Sequence, residues 1–560
     1  MFSSWRRPWT LCAAFLLMGP GFFSGARGQE LVIRTNQLGF LPAEEKEARI
    51  LSRRDLRGVR FNVVSGNSSV FEGKIGKSLG AYGKFAYAYR IRFSPVSAPG
   101  TFHLQVLDQE SLPFTIGRQA YNGIADSLLL FFRVQRCGDS RPLMHRLCHF
   151  HDATSLVEDG RIMSRKIDVK GGWHDAGDFV KFLNTAAYST YTLLLAYEFH
   201  PEAFNSVDGS EAAPAILDEV AVGVRWIMKL DLGGGQLITQ VQDLRDHDQG
   251  WRLPEDDALS RDRPAFAGKG KNLIGLVSAV MAFAYRTWLP RDRAFADSCL
   301  TMAEDLYSRR AEVPDLDVSG SGMYRDVHYE GKLALGAVEL YLSTMNPKYL
   351  SEAKDLATRA GADFWWSWGD INSYAHYRLA SIDKGFLKYL STNLGAAEEL
   401  SRQNVFGEAT TPRWGSANAM MGVALQALLW RRLTGEPRYD TLALRQCDYI
   451  LGDNPWGVSF LANVGKNPAR HLHSQVAYFH GGYLPGGLAA GPVTAATLRQ
   501  YAIPFEGKDP YAQFQTDGAV YRDDRMDYVT NEPTITAAAT AIFVFGCRLG
   551  GMLHEKGAFQ

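Results

Sequence analysis

Cysteine is scarce in this 560-residue chain, with six in all. Cys12 lies in a leader-like stretch, and the other five, Cys137, Cys148, Cys299, Cys447 and Cys547, are odd in number and widely spaced, which excludes a disulfide scaffold. A surplus of charge is also missing, since Lys+Arg and Asp+Glu each number 60. A balanced chain lacks the broad basic field that nucleic acid requires, and it argues against a strongly acidic polymer as substrate. Beyond the first thirty residues no run is apolar enough to span a bilayer, which takes about 20 residues, so no membrane partner is expected. No stretch is poor enough in apolar residues to read as disordered, hydrophobic residues making up 46% of the whole. A neutral ligand is the expectation.

The first thirty residues carry a signal of another kind. Arg6 and Arg7 precede a short apolar stretch at 11–18, Gly19-Pro20-Gly21 interrupts it, and Ala26 and Gly28 suit a signal-peptidase cut. Residues 1–28 are expected to be a signal peptide and the mature chain to be secreted, extracellular or periplasmic.

Residues 31–118 have short runs at 59–64, 85–93 and 101–106 that alternate or carry β-branched and aromatic residues, separated by Gly and Ser clusters. About seven strands in under 100 residues predict an immunoglobulin-like β-sandwich. From residue 119 to about 556 the period changes. Leu217, Val220, Val224 and Ile227 recur at three- and four-residue steps. Helices are expected at 121–136, 184–200, 212–230, 272–288, 292–309, 330–344, 348–364, 370–381, 384–402, 416–434, 437–451 and 533–551, with Gly435 and Gly452 at C-terminal caps. Twelve helices with alternating short and long connections suit an all-α (α/α)6 barrel of six hairpins. The connections 138–180, 233–270 and 453–531 are long for a compact domain, which marks them as functional.

Two constellations carry chemistry. GGWHDAGDFVKF (171–182) sets Asp175 and Asp178 three residues apart in a Gly-containing loop beside Trp173 and Phe179. Asp and Gly are also routine turn residues, so a capped turn is the plain alternative. YRDDRMDYVTNEPTI (521–535) contains Glu532 before Pro533, which suits the first position of a helix and puts Glu532 at its cap. A helix N-terminus favours the carboxylate by about 0.3–1 kcal/mol, which opposes a role as proton donor unless burial outweighs it. Breaking a glycosidic bond takes one carboxylate to activate water and one carboxylic acid to protonate the leaving oxygen.

GGWHDAGDFVKF, WGSANAM (414–420), DYILGDNPWGVSF (448–460) and DYVTNEPTI (527–535), in this order, resemble glycoside hydrolase family nine, the family of many cellulases, over about residues 119–552. VIRTNQLGFLP (32–42) resembles the immunoglobulin-like domain that precedes the catalytic domain in one branch. The resemblance implies an inverting hydrolase in which Asp178 is the general base, Asp175 helps hold the water and Glu532 is the general acid. LRDHDQGWRLPEDD (244–257) is similar to a cleft-lining stretch, which makes His247 and Trp251 sugar contacts, and Tyr528 is expected to join them. In KNPARHLHSQ (466–475) His473 matches, whereas Ser474 and Gln475 replace polar and basic partners common in relatives.

RCGDSRPLMHRLCHFHD (136–152) is the expected metal site, thiolate and imidazole together favouring zinc in a structural tetrahedron. The branch it resembles implies the ligands Cys137, Cys148, His149 and His174, with His145 and His151 competing. Calcium also occurs in the family; no clear calcium loop is present here, and that ion stays open. No organic cofactor is expected. The reading is an endo-β-1,4-glucanase acting on cellulose or related β-glucans. The alternatives are an exo-acting β-glucosidase or glucosaminidase and a non-catalytic polysaccharide-binding protein, against which the retention of all three acids argues.

Overall fold

The alternation in residues 60–106 sorts side chains to two faces of a sheet. Phe61 and Val63 of Arg60–Ser65, and Phe102, Leu104 and Val106 of Gly100–Val106, are buried, while their neighbours in sequence are more exposed. The protein, seen here in a computed structural model, is described for residues 30–163, 165, 167–204, 216–363, 367–505 and 508–549. The expected leader, 1–28, lies outside the described residues.

Ten strands, four of them only two or three residues long, form the N-terminal sandwich. One sheet has the order Leu31–Arg34, Glu47–Ser52, Phe85–Arg92, Gly80–Tyr82, all antiparallel. The other has the order Gly39–Phe40, Phe114–Ile116, Gly100–Val106, Arg60–Ser65, Ser68–Lys74, with only its first pair parallel. Phe40 packs edge-on against Phe93 and Phe114 between them, at ring separations of 5.4 and 5.5 Å.

The helices are α1 (Ile124–Gln135), α2 (Leu183–Phe199), α3 (Ile216–Lys229), α4 (Lys271–Trp288), α5 (Arg293–Ser308), α6 (Glu330–Thr344), α7 (Pro347–Ala360), α8 (Asn372–Ala380), α9 (Leu387–Gln403), α10 (Ser416–Thr434) and α11 (Asp440–Ile450). Short α12 (Gln475–Phe479), α13 (Ala495–Tyr501) and α14 (Tyr528–Asn531) precede α15 (Ile535–Leu549). Helices α2, α4, α6, α8, α10 and α15 pack in that cyclic order, and α1, α3, α5, α7, α9 and α11 flank them, which is an (α/α)6 barrel. The two rings differ in sequence as this geometry requires. Helices α3, α5 and α7 bury one stripe, whereas α2, α4 and α10 are buried almost all round. Polar residues enter α2 because Ser189, Thr190 and Thr192 each donate to the carbonyl four residues back, at 2.7–2.9 Å.

Three expectations need correction. Two of the connections expected as long loops, 138–180 and 233–270, carry part of a mixed sheet in the order Arg161–Met163, Ser155–Glu158, Pro264–Gly268, Gln236–Val241, Lys181–Phe182, with Asp231–Gly233 beside Gln236–Val241. Strands this short owe their form to partners distant in sequence, so no local period announces them. Glu532 is not the N-cap of α15. Thr534 takes that place, its hydroxyl accepting from Ala537 N at 3.2 Å, and Glu532 follows the last turn of α14. Gly435 caps α10 in the left-handed region, but α11 is capped by Leu451, with Gly452 one residue beyond.

The sandwich props the approach to the cleft. Gln37 donates to Gly457 O at 3.0 Å and accepts from the backbone of Lys466 and Asn467 at 2.9 and 2.7 Å. Phe85 stacks on Phe514, and Arg49 pairs with Asp453, both buried. The segment so held leads directly to His473.

Candidate active site and metal centre

The loop 171–182 hangs from the end of α1 and is stitched to the mixed sheet. Cys137 N donates to Gly172 O at 2.9 Å, His174 N to Gln135 O at 2.8 Å, and Gln135 Nε2 to Ala176 O at 2.5 Å. At its far end Lys181 and Phe182 pair with Val241 and Gln240. Beneath it lies a network of buried charges: Asp152 takes Lys181 at 2.6 Å and Arg263 at 2.5 Å, while Arg252 bridges Asp246 at 2.6 Å and Asp257 at 2.8 Å. Buried ions of this kind persist only when mutually paired and hydrogen-bonded. Asp246 in turn accepts from Phe179 N at 3.0 Å, and Arg263 donates to Phe179 O at 2.7 Å, so the network fixes the turn between Asp178 and Val180.

Asp178 is largely buried. Its Oδ1 accepts from Val180 N at 2.8 Å and its Oδ2 faces His247 Nε2 at 3.0 Å. Burial alone would raise its pKa, but the hydrogen bond and charge of His247 hold it below the usual carboxylate value. The same hydrogen bond lifts His247, 40% exposed, to about 9, against a smaller opposing effect of burial. His247, expected as a sugar contact, therefore sits on the carboxylate expected to be the base. Asp175 is 1% exposed; burial raises it to about 7, partly offset by the hydroxyls of Thr185 and Tyr324.

Glu532 is reached from another direction. Asp527 caps α14 by accepting from Val529 N and Thr530 N at 3.1 and 3.0 Å. Asn531 donates to His471 O and Asp524 O and accepts from the Tyr521 hydroxyl at 2.8 Å. Glu532 Oε1 then accepts from Gly177 N at 3.2 Å. Burial first, and next the negative charge of Asp178, push its pKa well above the usual value; the Gly177 bond opposes them. The dipole objection raised by an N-cap position disappears with the cap. Gly177 is where the two segments meet, and a Cβ there would lie 2.1 Å from His473 O.

Half-buried His473 donates its backbone N–H to Asn531 O at 3.2 Å, and its Nδ1 faces Arg525 O at 2.7 Å. Burial lowers its pKa, so it is neutral, with Nδ1 as the donor. Trp251 packs against His473, its ring 5.2 Å away, and His473 lies 5.8 Å from Tyr528. The structure thus gathers Asp175, Asp178, Glu532, His247, Trp251, His473 and Tyr528 in one region. The replacements at 474 and 475 have structural partners: Ser474 Oγ caps α12, and Gln475 Oε1 accepts from Arg252 N at 2.9 Å.

Sequence reasoning missed several neighbours. Tyr478 stacks on Trp251, and Trp414 and Tyr501 flank Tyr528. Tyr324, with φ of 52°, packs edge-on between Phe182 and Trp368 beside Asp175. Its carbonyl is held by Asn184, and two residues on, Asp326 gathers Asn184, Asn272 and Lys332 at the starts of α2, α4 and α6. Only Trp414 had a visible signal, since it opens WGSANAM.

Cys137, Cys148, His149 and His174 are all buried, and one donor atom from each lies within 4.8 Å of the others. Cys137 Sγ is 3.6 Å from His149 Nδ1, which is 3.1 Å from His174 Nε2. These separations suit the edges of a tetrahedron around a metal with bonds of about 2.0–2.3 Å. His149 Nε2 faces Asp257 Oδ2 at 3.2 Å; that carboxylate fixes the tautomer and leaves Nδ1 free to ligate. Burial depresses His174 to about 4, keeping it neutral as a ligand must be. The residues fit a structural metal: four protein donors leave no open position for substrate. His145 stands aside because both its nitrogens face backbone carbonyls, at 2.8 and 2.9 Å, and His151 is exposed.

Comparison with known proteins finds similar chains for both parts of the molecule. The family model described as "Glycosyl hydrolase family 9" matches residues 121–545, and "Cellulase N-terminal ig-like domain" matches 29–111. "Endoglucanase 4" of Bacillus sp. (strain KSM-522) is 29% identical over 443 residues, 74% of this chain and 66% of that protein. The "Cellodextrinase" of Butyrivibrio fibrisolvens is 26% identical over 525 residues, 84% of this chain and 93% of that one. A solved metagenome-derived glycoside hydrolase family 9 endoglucanase is similar with a TM-score of 0.77 at 26% identity, covering 92% of this chain and 98% of that one.

Proposed function

The chain belongs to glycosyl hydrolase family 9, and from that premise we propose that it is a secreted, inverting hydrolase of β-1,4-glucosidic bonds in cellulose-type glucans. Residues 1–28 would be the leader, 31–118 the supporting domain and 119–556 the catalytic domain. Asp178 takes the proton of the attacking water as general base, Asp175 helps to hold that water, and Glu532 protonates the leaving oxygen. His247, Trp251, His473 and Tyr528 contact the sugar chain. Cys137, Cys148, His149 and His174 hold a structural zinc, the metal that two thiolates and two imidazoles favour.

The observation that carries this reading is the opposite setting of Asp178 and Glu532 in one site: His247 lies 3.0 Å from Asp178, whereas Glu532 is largely buried with the Gly177 N–H, at 3.2 Å, as its only hydrogen-bond donor among the described residues. A carboxylate held ionised by His247 and a carboxylic acid held neutral by burial and by Asp178 are the two states that base and acid must occupy before reaction. The relatives named endoglucanase and cellodextrinase support the substrate class.

The test is hydrolysis of barley β-glucan and cello-oligosaccharides. Asp178→Asn and Glu532→Ala are each expected to lower kcat by about 10²–10⁴-fold with the fold intact. Proton NMR in the first minutes should record the α-anomer from β-linked substrate, as follows if the two carboxyls stand about 6.5–9.5 Å apart with water between. Near-normal turnover by Glu532→Ala on a natural glucan would refute the roles, and an initial β-anomer would refute inversion.

A further inference from the structure

Sugar rings bind tryptophan by lying flat on an indole face. Trp251 does not have both faces to offer. Tyr478 lies parallel to it, the planes 4° apart and the ring centres separated by 4.7 Å, which is direct stacking. Over the same tyrosine ring stands the Arg525 guanidinium, its Cζ 5.3 Å from the centroid. A sugar ring cannot enter the gap between two rings already in contact.

The stack is built rather than accidental. Tyr478 belongs to α12, whose N-cap Ser474 accepts from Ala477 N at 3.3 Å, and Tyr478 N donates to Ser474 O at 3.0 Å. Gln475, at the start of the same helix, accepts from the backbone of Arg252, the residue after Trp251, at 2.9 Å. The backbones on both sides of the stack are therefore tied together. Gln475 N also donates to Gly177 O at 3.0 Å, which fixes the helix relative to the loop of Asp175 and Asp178. Arg525 is held where it is by the bond from His473 Nδ1 to its carbonyl. The tyrosine nevertheless remains 38% exposed, so it lies at the surface and is not part of the core.

We propose that Tyr478, stacked on Trp251 and backed by Arg525, ends the cleft on its Trp251 arm and makes it a specificity-determining residue. A β-glucan chain then enters that arm only as far as its terminal sugar. The protein prefers chain ends and short cello-oligosaccharides to internal bonds of long polymers. The inference rests on the hydrolase reading above and narrows its substrate class.

The experiment compares wild type, Tyr478→Ala and Tyr478→Phe on cellotriose to cellohexaose and on barley β-glucan. Product ladders and viscosity loss per reducing end are followed, with circular dichroism and Tm as checks on folding. Phenylalanine keeps the stack and should keep the wild-type ladder. Alanine opens the arm, so kcat/KM should rise for the longest oligosaccharides by about tenfold relative to cellotriose. Viscosity should also fall faster per bond cut. An unchanged ladder and viscosity ratio in folded Tyr478→Ala would overturn the proposal. So would weaker binding of the longer oligosaccharides in that variant, because Tyr478 would then be a sugar platform and not an end wall. Absence of hydrolysis by wild type on every glucan would instead sink the hydrolase reading and this inference with it, whereas active wild type with an unmoved ladder refutes only the inference.

Discussion

The loop 171–182 and the segment 521–535 bring carboxylates to the same cleft by opposite means. Beneath the first lie paired charges: Lys181, Arg263, Arg252 and their aspartates, the Cys/His cluster, and His247 on Asp178 itself. The second is held by the Asn531 amide, the Tyr521 hydroxyl and the carboxylates of Asp523 and Asp527 on backbone N–H groups, and Glu532 itself has no ion pair among the described residues. A carboxyl beside a cation ionises readily; one that is buried beside another carboxylate does not. The difference between two chemically similar side chains thus comes from what the chain packs around them, and it is that difference which the proposed acid and base roles require at one pH.

The comparison breaks most severely where the two regions touch. Gly177→Ala places a methyl 2.1 Å from His473 O and must push the segments apart. A displacement of about 1 Å at a reacting centre costs on the order of 10²-fold in rate, and overpacking costs about 1–3 kcal/mol in stability. Steady-state kinetics on β-glucan together with thermal melts check this, and wild-type kcat in Gly177→Ala would mean that the contact does not set the geometry.

Next in size is metal removal, which separates the regions because only the loop 171–182 is tied to the cluster. Carefully prepared protein is expected to hold about one zinc per chain, and chelation should lower Tm before it lowers activity. Asp257→Asn, which loses the carboxylate partner of His149, should weaken metal binding by about 10–100-fold. Folded protein free of any metal, by elemental analysis, would refute the centre.

The smallest effect sharpens the contrast. His247 favours the ionised form of both Asp178 and Glu532, so His247→Ala should move both limbs of the pH–rate profile upward, with the larger move at Asp178, which it touches. Stability has its own window. The depressed Asp178 contributes above its unfolded value near 3.8 and loses that contribution as pH falls; the raised His247 contributes below 6.5 and loses it as pH rises through about 9. His247→Ala should therefore destabilise most between about pH 4 and 6.5, and little above about 9. Melts across that range check the shape, and a cost independent of pH would dissolve the ion pair.

Much of this architecture is legible in the sequence. The twelve long helices follow from period and punctuation, as in α6 and α10, whose ends fall where Thr344 and Gly435 close their patterns. Asp175, Asp178 and Glu532 stand out because they sit in dense, ordered motifs, and the four Cys/His positions follow from the resemblance. The mixed sheet is hidden because Lys181–Phe182 is two residues long and pairs with Gln240 and Val241, some sixty positions away. The placement of Glu532 at a helix cap fails for a related reason: Pro533 suits a helix start, but Thr534 supplies the capping oxygen. Tyr324, Tyr478 and Tyr501 lie in stretches with no repeating pattern, and nothing local marks them.

The two-part architecture, the family and the candidate acids can be read along the chain, because periodicity and motif order are local properties that each segment carries alone. The protonation of those acids, the partner of His247, the assembly of the four metal donors and the wall that Tyr478 builds on Trp251 arise only when the chain is folded. Each depends on burial and on distances between groups tens to hundreds of residues apart. Electrostatic energy responds to those distances and to the exclusion of water, neither of which is encoded in any one stretch of chain.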